Sequence, residues 1–114
     1  NLMINAVDAM ANVAEPKLIV RTRRAGRWYT IDVIDNGSGI APEHVNRLFE
    51  PFFTTKPIGK GTGLGLSISY SLMRKQGGDI QVQSKPGEGA MFTVRVPVRE
   101  TRAGTPCAPA AALA

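Results

Sequence analysis

Over the first thirteen residues, NLMINAVDAMANV, apolar side chains return at Leu2, Ala6, Ala9, Met10 and Val13. That stripe has a helical period, so the spacing predicts an amphipathic helix over 1–13, read as the second half of a longer one. The period then drops to two. Lys17 to Arg24 sets Leu18 and Val20 opposite basic residues. Trp28 to Asp35 sets Tyr29, Ile31 and Val33 on one face, with Thr30 and Asp32 on the other. Joined by Ala25-Gly26-Arg27, these strands predict a hairpin. Pro42 suits the first turn of a short helix reaching Leu48. Residues 49–63 hold Pro51, Pro57, Gly59, Gly61 and Gly63, too many breakers for regular structure. A helix is expected from about Leu64 to Lys75, stopped by Gly77-Gly78. Asp79–Lys85 and Met91–Val98 then read as strands around a Pro86-Gly87-Glu88-Gly89 turn, with Phe92, Val94 and Val96 sharing a face.

Helix, hairpin, loop, helix, hairpin predicts an α/β two-layer sandwich with a largely antiparallel sheet and helices on one face. Strict alternation of strand and helix is lacking, which argues against a doubly wound sheet. The length, 114 residues, allows one domain at most. Its body is placed at 1–98, and the Ala/Pro-rich stretch 99–114 is expected to be a disordered tail. The chain opens on Asn1 inside an apolar-periodic stretch, so a piece of a larger protein is expected.

Composition narrows the chemistry. The hydrophobic fraction of 43% is ordinary for a globular chain and excludes a disordered one. No apolar run approaches the roughly 18 residues of a membrane helix, so a soluble segment without membrane contact is expected. A single cysteine, Cys107, excludes an internal disulfide, and with one histidine, His44, it argues against a Cys/His zinc site. Fourteen Lys and Arg against nine Asp and Glu give a net charge of +5, which raises the question of a nucleic-acid partner. Arg21, Arg23, Arg24 and Arg27 are the only cluster, and residues 21 and 23 share a strand face. They read as a solvated basic edge that blunts strand-to-strand aggregation. No aromatic side chains interleave with them, so no nucleic-acid partner is expected.

Ten of the twelve glycines lie between Gly37 and Gly89. Gly59, Gly61, Gly63 and Gly65 run into the start of the helix near 64. Bare backbone amides at a helix N-terminus make an anion site, with phosphate the usual anion. The spacing fits neither a Walker A loop nor the dinucleotide fingerprint, since Lys60 precedes the cluster and Ile68 stands where a glycine is needed. In Asp35-x-Gly37-x-Gly39 a carboxylate ends a strand beside two permissive positions. It suits acceptance from an exocyclic amine of a base, but on its own the pattern is weak and an ordinary Asp-Asn-Gly turn fits it better. Asn1 and Asn5 lie one helical turn apart on one face. Asn5 supplies the kind of hard oxygen that Mg²⁺ takes alongside phosphate and water, while solvent-facing asparagines fit the same pattern.

In order along the chain these segments resemble the ATP-binding catalytic domain of bacterial sensor histidine kinases, which shares its Bergerat-type fold with Hsp90, type II topoisomerases and MutL. NLMINAVDAM resembles the N box, DNGSGI the first glycine box, LFEPFFTTK the F box and GKGTGLGLSI the second glycine box. GEGAMFTVRVP resembles the terminal hairpin. The likeness covers residues 1 to about 98 and is nearest in wording to the nitrogen-regulation and dicarboxylate-sensing branch. It implies a mixed, largely antiparallel sheet. It also implies a fragment lacking the family's first strands and the start of its N-box helix.

The resemblance also implies roles. Asn5 would coordinate Mg²⁺ on the phosphates, with Asn1 beside it. Asp35 would bind the adenine amino group, with Gly37, Gly39 and Ile40 around the base. Phe49, Phe52, Phe53 and residues 54–60 would form a hinge and lid, with Lys56 or Lys60 near the phosphates. Gly61, Thr62, Gly63, Leu64, Gly65 and Leu66 would cradle the phosphates. Two departures stand out. Asp8 occupies a place where many relatives carry Lys or Arg, which leaves it a role through water or the metal shell. Ala90 stands where Thr or Ser is common.

The implied activity is a half-reaction: bind Mg-ATP and donate the γ-phosphate to a histidine on a separate dimerisation domain. A response-regulator receiver domain, a homodimeric parent and a cytoplasmic place follow, the parent sometimes being anchored in the bacterial inner membrane. His44, in EHVNRL, does not resemble the acceptor and reads as a surface residue. Two alternatives stay open: an ATP-hydrolysing switch of the Hsp90/topoisomerase type, and a non-catalytic module that binds a regulatory partner. Hydrolysing relatives carry a glutamate one turn before the metal asparagine, where this chain has Asn1, a poor base.

Overall fold

A computed structural model describes residues 1–54 and 64–98. Residues 55–63 of the expected breaker-rich segment 49–63, and the tail 99–114, lie outside the described residues, while 49–54 form turns and irregular chain as expected. The first helix, α1, runs Leu2–Ala9, shorter than the apolar stripe to Val13. The Ala9 carbonyl, which would serve the Val13 N–H in a longer helix, accepts the Ser38 N–H at 3.1 Å instead. The chain tightens into turns, with Met10 N–H donating to the Val7 carbonyl and Val13 N–H to that of Met10.

The strands are β1 (Leu18–Ala25), β2 (Trp28–Asp35), β3 (Asp79–Lys85) and β4 (Gly89–Pro97). Two further helices, α2 (Pro42–Val45) and α3 (Gly65–Lys75), lie between the hairpins. α2 stops short of the expected Leu48 and gives way to successive turns, Arg47 onto His44 and Glu50 onto Arg47. The sheet order is β1-β2-β4-β3, every described pair being antiparallel. Inserting β4 between the two strands that precede it ties the hairpins into one sheet.

Register separates the faces. Ile31, Val33 and Asp35 of β2 stand opposite Val94, Phe92 and Ala90 of β4. Ile80, Val82 and Ser84 of β3 continue these rows. This is the helix-covered face: Ile80, Ala90 and Phe92 are buried, packed by Leu2, Ile40, Leu48, Phe49, Leu66, Tyr70 and Met73. Phe49 stacks on Tyr70 with centroids 4.9 Å apart, so the F-box aromatic is a core contact to α3. No helix of the described residues is long and apolar enough to cross a membrane.

The opposite face holds a feature that alternation alone did not expose. Asp32, expected only to face away from Tyr29 and Val33, has a completely buried side chain. Arg21 lies over it with Nη2 2.8 Å from Oδ2, and Arg23 follows at 3.4 Å. Thr93 donates its hydroxyl to Oδ1 at 2.7 Å. The basic edge is thus partly a cover for one carboxylate, while β1 remains exposed along its whole length as expected of an edge. The Thr93 hydrogen bond, aided by the two guanidinium groups and opposed by burial, holds the Asp32 carboxyl below its ordinary 3.8. A carboxyl lowered by folding stabilises fully above its unfolded pKa, and that stabilisation fades as pH falls through the folded value. Thermal melts taken below about pH 4 are therefore expected to fall less steeply with acid in Asp32→Asn than in the parent chain. Equal slopes would show that another group governs acid unfolding.

Candidate functional site

α1 turns Ala6 and Met10 into the protein, and its next face carries Asn1, Asn5 and Asp8 at helical spacing. Asn1 is the N-cap residue. Its Nδ2 donates to the Gly65 carbonyl at 3.1 Å and to the Ser69 hydroxyl at 3.0 Å. The asparagine face is thereby tied to the first turn of α3, 64 residues away in sequence. Asn5 is half-buried and Asp8 exposed on that face.

α3 begins after Leu64, its N-cap residue, whose apolar side chain makes no capping hydrogen bond. The Leu64 carbonyl takes the Ile68 N–H and the Ser67 hydroxyl, both at 2.9 Å. The amides of the opening turn have no earlier helical carbonyl to bond, and the helix dipole adds partial positive charge there. Gly65 and Leu66 are half-buried at this end. Lys56, Lys60, Gly61, Thr62 and Gly63, the rest of the expected phosphate cradle, lie outside the described residues.

At the other end of α1, Asp35 is 5% exposed at the end of β2. Its Oδ1 accepts the Gly37 N–H at 2.9 Å, an Asx turn that fixes the carboxylate against its own loop. The glycines here serve the chain before any ligand. A Cβ on Gly37 would meet the Ala9 carbonyl oxygen at 2.5 Å. Gly39 has φ +73 and lies against the Lys85 carbonyl. Ile40, the third residue expected near a base, packs against the buried cluster.

Side chains that sequence alone did not single out hold this loop. Ser84 accepts the Ile40 N–H at 2.8 Å and donates to the Gly89 carbonyl at 2.7 Å. Asn36 accepts the Lys17 N–H at 2.8 Å and donates to the Glu15 carbonyl at 2.9 Å. A signal for Ser84 was present: it is the polar residue in the inward row Ile80, Val82, Ser84 of a period-two strand. Ser69 carried a similar one, four residues after Gly65 on the same side of α3. His44, expected at the surface, is half-buried with its ring centroid 5.6 Å from that of Phe53. Phe53 also receives the Arg47 guanidinium at 4.6 Å.

A cleft of about 530 Å³ opens at this end of the sheet, lined in part by Asp35, Val45, Val82, Ser84 and Ala90. Ile34 and Met91 of the opposite face also line it, so it wraps the sheet's end. Asn5 and Gly65 do not line it. Among the described residues no group of three His, Cys, Asp or Glu side chains comes together to hold a metal. The hard oxygens on the asparagine face of α1 are the amides of Asn1 and Asn5 and the carboxylate of Asp8. So small a set of hard donors suits Mg²⁺, which keeps waters and phosphate oxygens in its shell, and not a metal caged by protein alone.

Comparison with known proteins agrees with the fold. Residues 1–100 match the family model described as histidine kinase-, DNA gyrase B-, and HSP90-like ATPase. The chain is 47% identical over 105 residues to the two-component sensor PprA of Pseudomonas aeruginosa, covering 86% of this chain and 11% of that protein. It is 39% identical over 102 residues to the sensor histidine kinase ZraS of Escherichia coli K12, covering 90% of this chain and 21% of the relative. Among solved structures, the catalytic domain of histidine kinase ThkA superposes with a TM-score of 0.71 at 31% identity. That match covers 84% of this chain and 60% of the other. The chain thus spans between a tenth and a quarter of the curated relatives' length.

Proposed function

Because the chain belongs to the histidine kinase-, DNA gyrase B- and HSP90-like ATPase family, we propose that it binds Mg-ATP and presents the γ-phosphate to a histidine on a separate dimerisation domain. The parent would be a homodimeric two-component sensor kinase that passes the phosphoryl group on to a response-regulator receiver domain. This places the domain in the cytoplasm. The observation that carries the reading is the Asn1 contact to Gly65 and Ser69. It brings the asparagine face of α1 against the start of α3, with Asp35 buried at the far end of the same helix.

Phosphoryl transfer needs positioning and charge neutralisation more than a protein nucleophile. The amides opening α3 stabilise phosphate oxygens without reorganising. Asp35, fixed by the Gly37 amide, accepts from the purine amine and sets which way the base points. Asn5 would hold Mg²⁺ directly, with Asp8 acting through water, and the ion would spread charge over the phosphates. Asn1 spends its amide donors on α3 and has no basic group to activate water, which favours transfer over hydrolysis.

Calorimetry with the 114-residue chain tests this. Mg-ATP binding is expected, weakened at least about tenfold in Asn5→Ala, the worth of one charge-assisted contact. Labelled ATP should leave the chain itself unlabelled and label an added dimerisation domain bearing the acceptor histidine. Steady hydrolysis without transfer would favour the conformational switch, and no nucleotide binding would favour the partner-binding module.

A further inference from the structure

Across the end of the sheet, Asp35, Ala90 and Ser84 occupy one cross-strand row on the helix-covered face, contributed by β2, β4 and β3. The middle position has no hydroxyl. The hydroxyl of the row stands on Ser84, half-buried, and both its hydrogen-bonding roles are taken. It receives the Ile40 N–H at 2.8 Å and gives its proton to the Gly89 carbonyl at 2.7 Å. Ile40 closes the loop that Asp35 opens. Gly89 has φ +87, and its α-carbon lies so close to the Asp35 carbonyl that a Cβ there would overlap it. One serine therefore fastens the exit of the loop directly and holds the strand start that buttresses its entrance. The turn between β3 and β4 adds a further clasp, Gly87 N–H donating to the Ser38 carbonyl at 2.7 Å.

We propose that Ser84 is a positioning residue for purine recognition: by clipping Ile40 to Gly89 it sets where the Asp35 carboxylate stands. The proposal rests on the reading of Asp35 as acceptor of the purine amine. It goes beyond that reading in naming a residue on another strand that never needs to touch nucleotide. The physical argument is one of leverage. The six-residue loop Asp35 to Ile40, closed at both ends by hydrogen bonds, has few backbone arrangements. Release of one end restores backbone freedom that nucleotide binding must remove again. That freedom falls on the base-reading end of the site and not on the phosphate end, which is built by α1 and α3.

The test compares the parent chain with Ser84→Ala and Ser84→Thr, using ATP and inosine triphosphate as probes, since the latter lacks the exocyclic amine. The parent is expected to prefer ATP. Ser84→Ala should lose ATP affinity by about tenfold while inosine triphosphate changes by less than about twofold, and Ser84→Thr, which keeps the hydroxyl, should recover the preference. Amide exchange without nucleotide should quicken at Ile40 in Ser84→Ala and return to the parent rate in Ser84→Thr. Equal losses for both nucleotides, or unchanged Ile40 exchange, would overturn the positioning role while leaving ATP binding intact. A parent chain that binds both probes equally would instead remove the reading of Asp35, and with it this role.

Discussion

Asp35→Asn is expected to weaken ATP binding by about thirtyfold or more while the chain stays folded. The carboxylate is 5% exposed, so little water is at hand to repair a mismatched contact. Asparagine keeps an acceptor for the Gly37 N–H, the bond of 2.9 Å that shapes the loop, which is why the fold should survive. What changes is the outward edge, where an acceptor becomes an amide donor. A donor set against the purine amine leaves two buried groups unmatched, costing on the order of 2 kcal/mol or more. Calorimetry against ATP and inosine triphosphate reads this directly. The substitution should erase the difference between the two, and near-parental affinity for ATP would mean that the base is recognised elsewhere.

Gly89→Ala should be the most destabilising of the single-methyl additions at positive-φ glycines in the hairpin turns. Two costs add. At φ +87 any side chain is strained, and the new Cβ would overlap the Asp35 carbonyl and press on the Asn36 Cα at 3.0 Å. Together they come to about 3 kcal/mol, a fall in Tm on the order of 15 °C for a domain of this size. Gly87→Ala is the matched control. Its φ is +79, yet nothing lies within 4 Å of the added carbon, so only strain remains. About 5 °C is expected there. Similar melting shifts for the two would refute the steric argument. Because the displaced carbonyl belongs to Asp35, Gly89→Ala should also weaken ATP binding in whatever fraction remains folded.

These two residues illustrate what was legible beforehand. Asp35 was legible from its residues only as the carboxylate of a strand-ending Asp-Asn-Gly turn, which the structure has; its role toward a base came from the family resemblance and belongs to the proposed function. Gly89 was readable only as part of a turn. Its contact with the Asp35 carbonyl joins residues 54 positions apart and depends on β4 entering the sheet beside β2. Alternation placed Asp32 on the correct face without showing that Arg21, Arg23 and Thr93 would bury it, since side-chain period says which face and not what covers it. The end of α1 was misjudged for a related reason. The apolar stripe runs on to Val13, but the Ala9 carbonyl is claimed by Ser38, a competitor that no local pattern contains.

The order of the amino acids by itself determined the elements, their inward faces and the residue types able to meet phosphate, metal and base. Those properties depend on neighbours within a few positions, where backbone geometry and side-chain period act directly. Only the tertiary structure decided that Asn1 would bind the start of α3, that Ser84 would clip Ile40 to Gly89, and that Asp35, Ala90 and Ser84 would form one row. Such contacts come from strand order and from helices settling on one face. They are fixed by the burial of the whole apolar surface together and not by any local segment.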